Sequence, residues 1–302
     1  MSVPVSVPVP VPVLQVTLNG SRTAAESAAV PLSPEALVES AVESVEAGAT
    51  EVLVHPRTPC GRESLSPRVV GPLLAALRAA VPAPVPLVVC ATVAAEPDPA
   101  ARLARIAGWE VLPDRAVVGL SEPGAVELAS ALAERGVAVD GVLRPVRVGP
   151  SPAPEDAAGR PGDHAPDGVS RLPAGLPLTR LLVPLPDAGA PARLSLRLPG
   201  SGPDVPLTRL LAARADEVVL YGRDDAAWPV LRWAGRLGAG CRTGVGDVLR
   251  LPDGCPAPSN AALVAAAVAH LTAVKAPRAR RDPEDPEDQK DPEDQKDPKG
   301  TA

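Results

Sequence analysis

The chain has 302 residues, 45 % of them hydrophobic, which excludes a wholly disordered polypeptide; with no Phe, one Tyr and three Trp, its core must be built from Ala, Val and Leu. Forty Pro and 25 Gly approach the range of unstructured tracts, but Gly has no three-residue period, which excludes a collagen-like fibre. The net charge of −6 lies in residues 282–302, where nine acids outnumber three lysines; the rest carries 27 acids and 27 bases and offers no basic domain to a nucleic acid.

Residues 3–13 alternate Val with Pro, save for Ser6. Proline cannot donate to a ladder and fixes φ, so an extended polyproline-type arm is expected over 1–13. Strand-length apolar runs follow at 14–19, 51–55, 85–90, 115–120, 141–146, 179–185, 216–222 and 242–249. Helical stretches lie between most of them. Ser33 precedes Pro34 and Glu35 as an N-cap, and the helix over 34–47 stops at Gly48. Ser66 and Pro67 repeat that start for 66–81, and apolar spacing of three and four predicts helices over 98–108, 124–135, 226–238 and 259–274. Residues 147–178 and 186–206 are so rich in Pro and Gly that the fifth and sixth helices are expected short, displaced or missing. From about Pro277 the chain repeats Asp-Pro-Glu-Asp-Gln-Lys with almost no apolar residue, so a solvated, disordered tail is expected over 277–302.

Strand–helix alternation with near-continuous apolar strands implies a parallel sheet covered by helices. Eight such units over 14–276 predict an α/β fold, a (β/α)₈ TIM-type barrel. Cys60, Cys90, Cys241 and Cys255 form no C-x-x-C pair, so neither a zinc ribbon nor a disulfide scaffold is expected. The N-terminal stretch lacks the basic start of a signal peptide, and no apolar run of spanning length escapes Pro or charge. A cytoplasmic protein, away from membranes, is the expectation.

In such a barrel, function sits at the carboxyl ends of the strands. Asn19, Gly20 and Arg22 follow the first run, His55 and Arg57 the second, Cys90 and Thr92 the third, and Ser121 and Glu122 the fourth. Arg144 follows the fifth, Tyr221, Arg223 and Asp224 the seventh, and Arg242 and Asp247 flank the eighth. A ring with several arginines, a histidine and carboxylates suits a small carboxylate-bearing substrate.

Several motifs then fall in register. Leu-Asn-Gly-Ser-Arg-Thr at 18–23, Ser-Pro-Glu-Ala-Leu from 33, Val-His-Pro-Arg at 54–57 and Gly-Arg-Glu-Ser-Leu at 61–65 open the series. Glu-Pro-Asp-Pro at 96–99, Leu-Ser-Glu-Pro-Gly at 120–124, Trp-Pro-Val-Leu-Arg at 228–232, Leu-Pro-Asp-Gly at 251–254 and Pro-Ser-Asn-Ala-Ala-Leu-Val at 258–264 continue it. Together they resemble the β-keto acid cleavage enzyme family, whose named member is the 3-keto-5-aminohexanoate cleavage enzyme. The resemblance implies a (β/α)₈ barrel, a homotetramer, one divalent metal, generally zinc, and acetyl-CoA as co-substrate. It implies a reaction in which a β-keto acid and acetyl-CoA give acetoacetate and a new acyl-CoA. The metal stabilises an enolate, a carboxylate handles the proton and an arginine grips the substrate carboxylate.

The family's His-x-His at the second strand falls on Leu53 and His55, and its Glu-Asp pair at the eighth falls on Gly246 and Asp247. Two of three metal ligands are therefore replaced, leaving His55 as a partial metal site. The serine of the third strand becomes Cys90, and His-Gly-Glu-Gly on the seventh becomes Tyr221-Gly222-Arg223-Asp224. The resemblance assigns Arg242 and Asp247 as the catalytic pair, against a purely structural ion pair between them. Arg22, Arg57, Cys90, Glu122 and Arg223 are the substrate-binding candidates. Glu122 stands either to face a ligand or to cap the next helix, Cys90 either to face the site or to be a small buried residue, and Arg223 could supply the charge a metal otherwise provides. Two other readings stay open: a non-catalytic barrel used for binding or as a partner subunit, and metal-free chemistry on a small anionic metabolite.

Overall fold

The computed structural model describes residues 13–143, 146–147, 177–186, 194–196, 205–206 and 218–275. The N-terminal arm, the acidic tail, Arg144 and most of the Pro/Gly-rich segments lie outside the described residues. The strands are β1 (Leu14–Thr17), β2 (Glu51–Val54), β3 (Leu87–Cys90), β4 (Arg115–Gly119), β5 (Ala138–Val142), β6 (Val146–Arg147), β7 (Leu178–Leu185), β8 (Leu194–Leu196), β9 (Val205–Pro206), β10 (Val218–Gly222) and β11 (Gly240–Thr243). The described helices are α1 (Pro34–Glu46), α2 (Pro67–Ala80), α3 (Pro99–Ala107), α4 (Ala125–Glu134), α5 (Ala227–Leu237) and α6 (Asn260–Lys275).

Eight parallel strands close in the order β1-β11-β10-β7-β5-β4-β3-β2, each corresponding to one of the eight apolar runs. The chain is a (β/α)₈ barrel. Among the described residues no helix lies between β5 and β7 or between β7 and β10; β6, β8 and β9 pair there as a small antiparallel sheet. The helix starts follow the caps read from the sequence: Ser33 Oγ accepts from Ala36 N–H and Asp98 from Ala101 N–H. Ser66 makes no such bond, although Pro67 still opens α2.

Two strand bounds need correction. The run 141–146 is displaced, since β5 occupies Ala138–Val142. The run 242–249 is mostly not strand: β11 ends at Thr243, and Gly244, at φ 127°, turns the chain so that Gly246 and Asp247 lie in the following loop.

Alternate residues point into the barrel and stack in layers. At the amino end, Gln15, Glu51, Arg115, Asp140 and Arg180 form a polar floor. Arg180 donates to Glu51 at 2.7 and 2.8 Å and to Asp140 at 2.6 Å, Arg115 Nε donates to Asp140 at 3.0 Å, and Gln15 donates to Glu51 at 3.1 Å. Above it Leu53, Val88, Val117, Leu182 and Val219 form a buried apolar layer. The outward-facing strand residues, Val16, Val52, Val54, Val89 and Val118 among them, pack with the helices in the larger core. The third layer opens to the mouth.

Candidate functional site at the barrel mouth

The mouth holds a cavity of about 360 Å³ lined by residues from all eight barrel strands or their following loops. His55 continues the inward row Glu51–Leu53 on β2, and Arg223 continues the row Val219–Tyr221 on β10. Cys90, Arg242 and Thr17 come from β3, β11 and β1.

Arg242 and Asp247 form a buried two-point ion pair, with Nε to Oδ2 at 2.7 Å and Nη2 to Oδ1 at 2.8 Å. The Arg242 guanidinium also lies over the Tyr221 ring, 3.4 Å from its centroid. Burial works against its charge, but Asp247 more than offsets this, and the pKa of Arg242 is raised. Burial likewise raises the Tyr221 hydroxyl, so it stays protonated. Asp247 reaches the wall because Gly244 turns the loop: the Asp247 and Val248 N–H groups both donate to the Gly244 carbonyl at 2.9 Å.

His55 is held through its backbone, its N–H donating to Asn19 Oδ1 at 3.0 Å while Asn19 Nδ2 donates back to its carbonyl at 2.9 Å. Its Nδ1 is buried without a partner. Burial, then the charges of Arg242, Arg57 and Arg223, push the imidazole down to about 3, so it is neutral at pH 7. Cys90, buried and 3.5 Å from Thr92 Oγ1, is pushed up to about 12 and stays a thiol.

The remaining candidates separate. Arg223 lines the cavity and, among the described residues, makes no side-chain hydrogen bond or ion pair. Glu122 also lines it, but one oxygen accepts from Val93 N–H at 3.0 Å and Arg102 at 3.1 Å, tying the loops after β3 and β4 together. Arg22 and Arg57 do not line it. Arg57 donates to the carbonyls of Gly61, Gly20 and Arg22 and clasps the loops after β1 and β2. Arg250 makes the same bond to Gly254 at 2.8 Å in the loop after β11, where the backbone bonds repeat those after β2. Arg22 pairs with Glu26 at 3.0 Å and with Asp224. Glu63, in the loop after β2, does not line the cavity; among the described residues its buried Oε2 has no hydrogen-bond partner, and burial raises its pKa.

The donor set does not fit a three-ligand metal centre. Leu53, an apolar side chain at the bottom of the cavity, holds one ligand position. At the other, Gly246 has no room for a side chain: a Cβ would stand 2.5 Å from Thr17 Oγ1 and 2.8 Å from Gly20 N. Among the described residues no group of three or more His, Cys, Asp or Glu is arranged to hold a metal ion. Burial, and after it the charges of Arg242, Arg57 and Arg223, disfavours a positive charge at His55.

A closed barrel with a polar mouth at its carboxyl end defines the class of scaffold that carries small-molecule sites on its βα loops. The model of the beta-keto acid cleavage enzyme family matches residues 12–138 and 204–283, and the chain belongs to that family. Membership supports, in general terms, a function of the β-keto acid cleavage kind. Among curated proteins nothing matches the chain. Solved structures with a similar course include a type I 3-dehydroquinate dehydratase from Clostridium difficile, at 10 % identity and TM-score 0.49, covering 87 % of this chain and 92 % of that one. A phosphoribosyl anthranilate isomerase from Thermus thermophilus matches at 15 % identity and TM-score 0.43, covering 87 % and 100 %. These likenesses are to proteins of other activities and bear on no step of the chemistry. Among the described residues no helix is long and apolar enough to cross a membrane.

Proposed function

We propose that the mouth binds a small β-keto acid by its carboxylate at Arg223 and that its carbon–carbon cleavage proceeds without a three-ligand metal centre. One observation carries this reading: Arg223 is a cavity-lining cation without a partner among the described residues, while two family metal positions are Leu53 and Gly246. Arg223 is exposed at the rim of the cavity, where its guanidinium can meet a carboxylate in a charge-assisted, two-point contact. Arg242, fixed by Asp247 and Tyr221, adds the positive end of a fixed ion pair, which needs no reorganisation when negative charge develops on the ketone oxygen.

With acetyl-CoA as co-substrate, the α-carbon gives up a proton, bonds to the acetyl carbon and releases the CoA thiolate. That thiolate attacks the ketone carbon and the bond from it to the α-carbon breaks, giving acetoacetate and the new acyl-CoA once the proton returns. Burial and three arginines hold His55 at about 3, so it serves as proton acceptor in this step only as the carboxylate bound beside it offsets those charges and raises that value.

The test is turnover of β-keto acids with acetyl-CoA by chelator-dialysed protein, with and without added zinc. Turnover independent of zinc and lost in Arg223→Gln is expected; dependence on zinc, or unchanged turnover in the variant, overturns the proposal. A second reading, a binding barrel without turnover, is favoured by Asp247, whose two oxygens are both engaged by Arg242. Acetoacetate binding that needs Arg223, with no turnover of any β-keto acid, would select it.

A further inference from the structure

The corner that carries Arg223 has an unusual backbone. Asp224 has φ 50°, and among the described residues it is the only non-glycine residue at positive φ. Short polar side chains tolerate this conformation better than most, but it must still be held by its surroundings. The preceding Gly222 leaves no slack, since a Cβ there would stand 2.3 Å from the Ala226 carbonyl oxygen.

Three contacts hold the corner. The Asp224 N–H donates to the Asp247 carbonyl at 2.9 Å. The Asp224 carboxylate takes the Arg22 guanidinium, and Arg22 Nη2 also reaches the Asp247 carbonyl at 3.4 Å. Arg22 is itself 11 % exposed, with its own carbonyl held by Arg57 at 3.0 Å. Neither Arg22 nor Asp224 lines the cavity. Their contacts join the loops after β1, β10 and β11 around Arg223.

We infer that Arg22 and Asp224 are positioning residues: their ion pair locks the strained corner after β10 and so aims Arg223 into the mouth. The inference rests on the proposed carboxylate role of Arg223. It also predicts a sign opposite to simple charge. Removing the negative charge of Asp224 from the rim would by electrostatics alone strengthen anion binding. Loss of the lock weakens it.

Acetoacetate binding is measured by calorimetry on the full chain at pH 7. Asp224→Asn keeps the tolerance for positive φ but loses the charge, and its affinity is expected to fall about fivefold, with a similar fall in Arg22→Gln and little more in the double variant. In an Arg223→Gln background neither change has further effect. Affinity in Asp224→Asn equal to or tighter than wild type, or an equal fall in the Arg223→Gln background, overturns the inference. A ligand-free readout separates it from the carboxylate reading. Amide exchange at Asp224 should quicken about tenfold in Arg22→Gln, while the Val245 amide, bonded to Asn260 Oδ1 at 2.8 Å, stays protected. Unchanged exchange at Asp224 overturns the lock even if acetoacetate binds, and a wild type that ignores acetoacetate overturns the carboxylate reading even if the lock holds.

Discussion

The two ends of the barrel interior use the same residue types to opposite effect. At the floor, two arginines, two carboxylates and a glutamine satisfy one another almost completely, and Gln15 Oε1 is the one buried side-chain atom there without a partner. At the mouth, one arginine is engaged by its carboxylate, and among the described residues a second has no partner and a histidine nitrogen is buried without one. A closed network rigidifies; an open one leaves charge for something else to meet. The apolar layer of Leu53, Val88, Val117, Leu182 and Val219 separates the two.

The largest expected effect is at the floor. Asp140→Ala leaves Arg115 and Arg180 short of a shared partner and should cost about 3–5 kcal/mol, read as a lower urea midpoint with the mouth residues untouched. Gly246→Glu, alone or with Leu53→His, pushes a side chain against Thr17 and Gly20 and should cost about 1–3 kcal/mol. Elemental analysis should find no zinc gained, and stoichiometric zinc in the double variant would show that the loop can yield. Arg223→Gln should change stability by no more than about 0.5 kcal/mol yet weaken acetoacetate binding about tenfold, or ~1.4 kcal/mol. A large loss of stability there would erase the contrast between the ends.

The smallest effect concerns the thiols. Cys60 is exposed, and Thr58 at 3.1 Å, then Arg62, lower its thiol to about 7, whereas Cys90 is buried at about 12. Iodoacetamide at pH 7 should therefore label Cys60 and spare Cys90, with the rate at Cys60 climbing through pH 6–8 as thiolate forms. Labelling of Cys90 at a comparable rate would mean that the mouth opens more widely than its packing implies.

Much of this was legible in the residues. Eight apolar runs, Ser-Pro helix starts and glycines at helix ends are local signals, and local signals survive into the fold. The pairing of Arg242 with Asp247 is suggested by their proximity in sequence. What was hidden depends on partners far along the chain. Arg22 reads as a ligand contact until Asp224, 202 residues away, takes its guanidinium, and Arg57 reads the same way until three carbonyls do. The spacing of Arg57 to Gly61 and Arg250 to Gly254 is a signal that could have exposed the clasp, because each arginine closes a turn onto the glycine carbonyl four residues on.

By itself the sequence determined the barrel, its strand count and its family, because hydrophobic period, capping chemistry and motif order are written residue by residue. Only the tertiary structure decided which charges are spent and which are free. Closing eight strands brings Gly246 against Gly20 and leaves no room for a ligand there. The same closure gives Arg22 and Arg242 their carboxylate partners and leaves Arg223 at the cavity without one among the described residues.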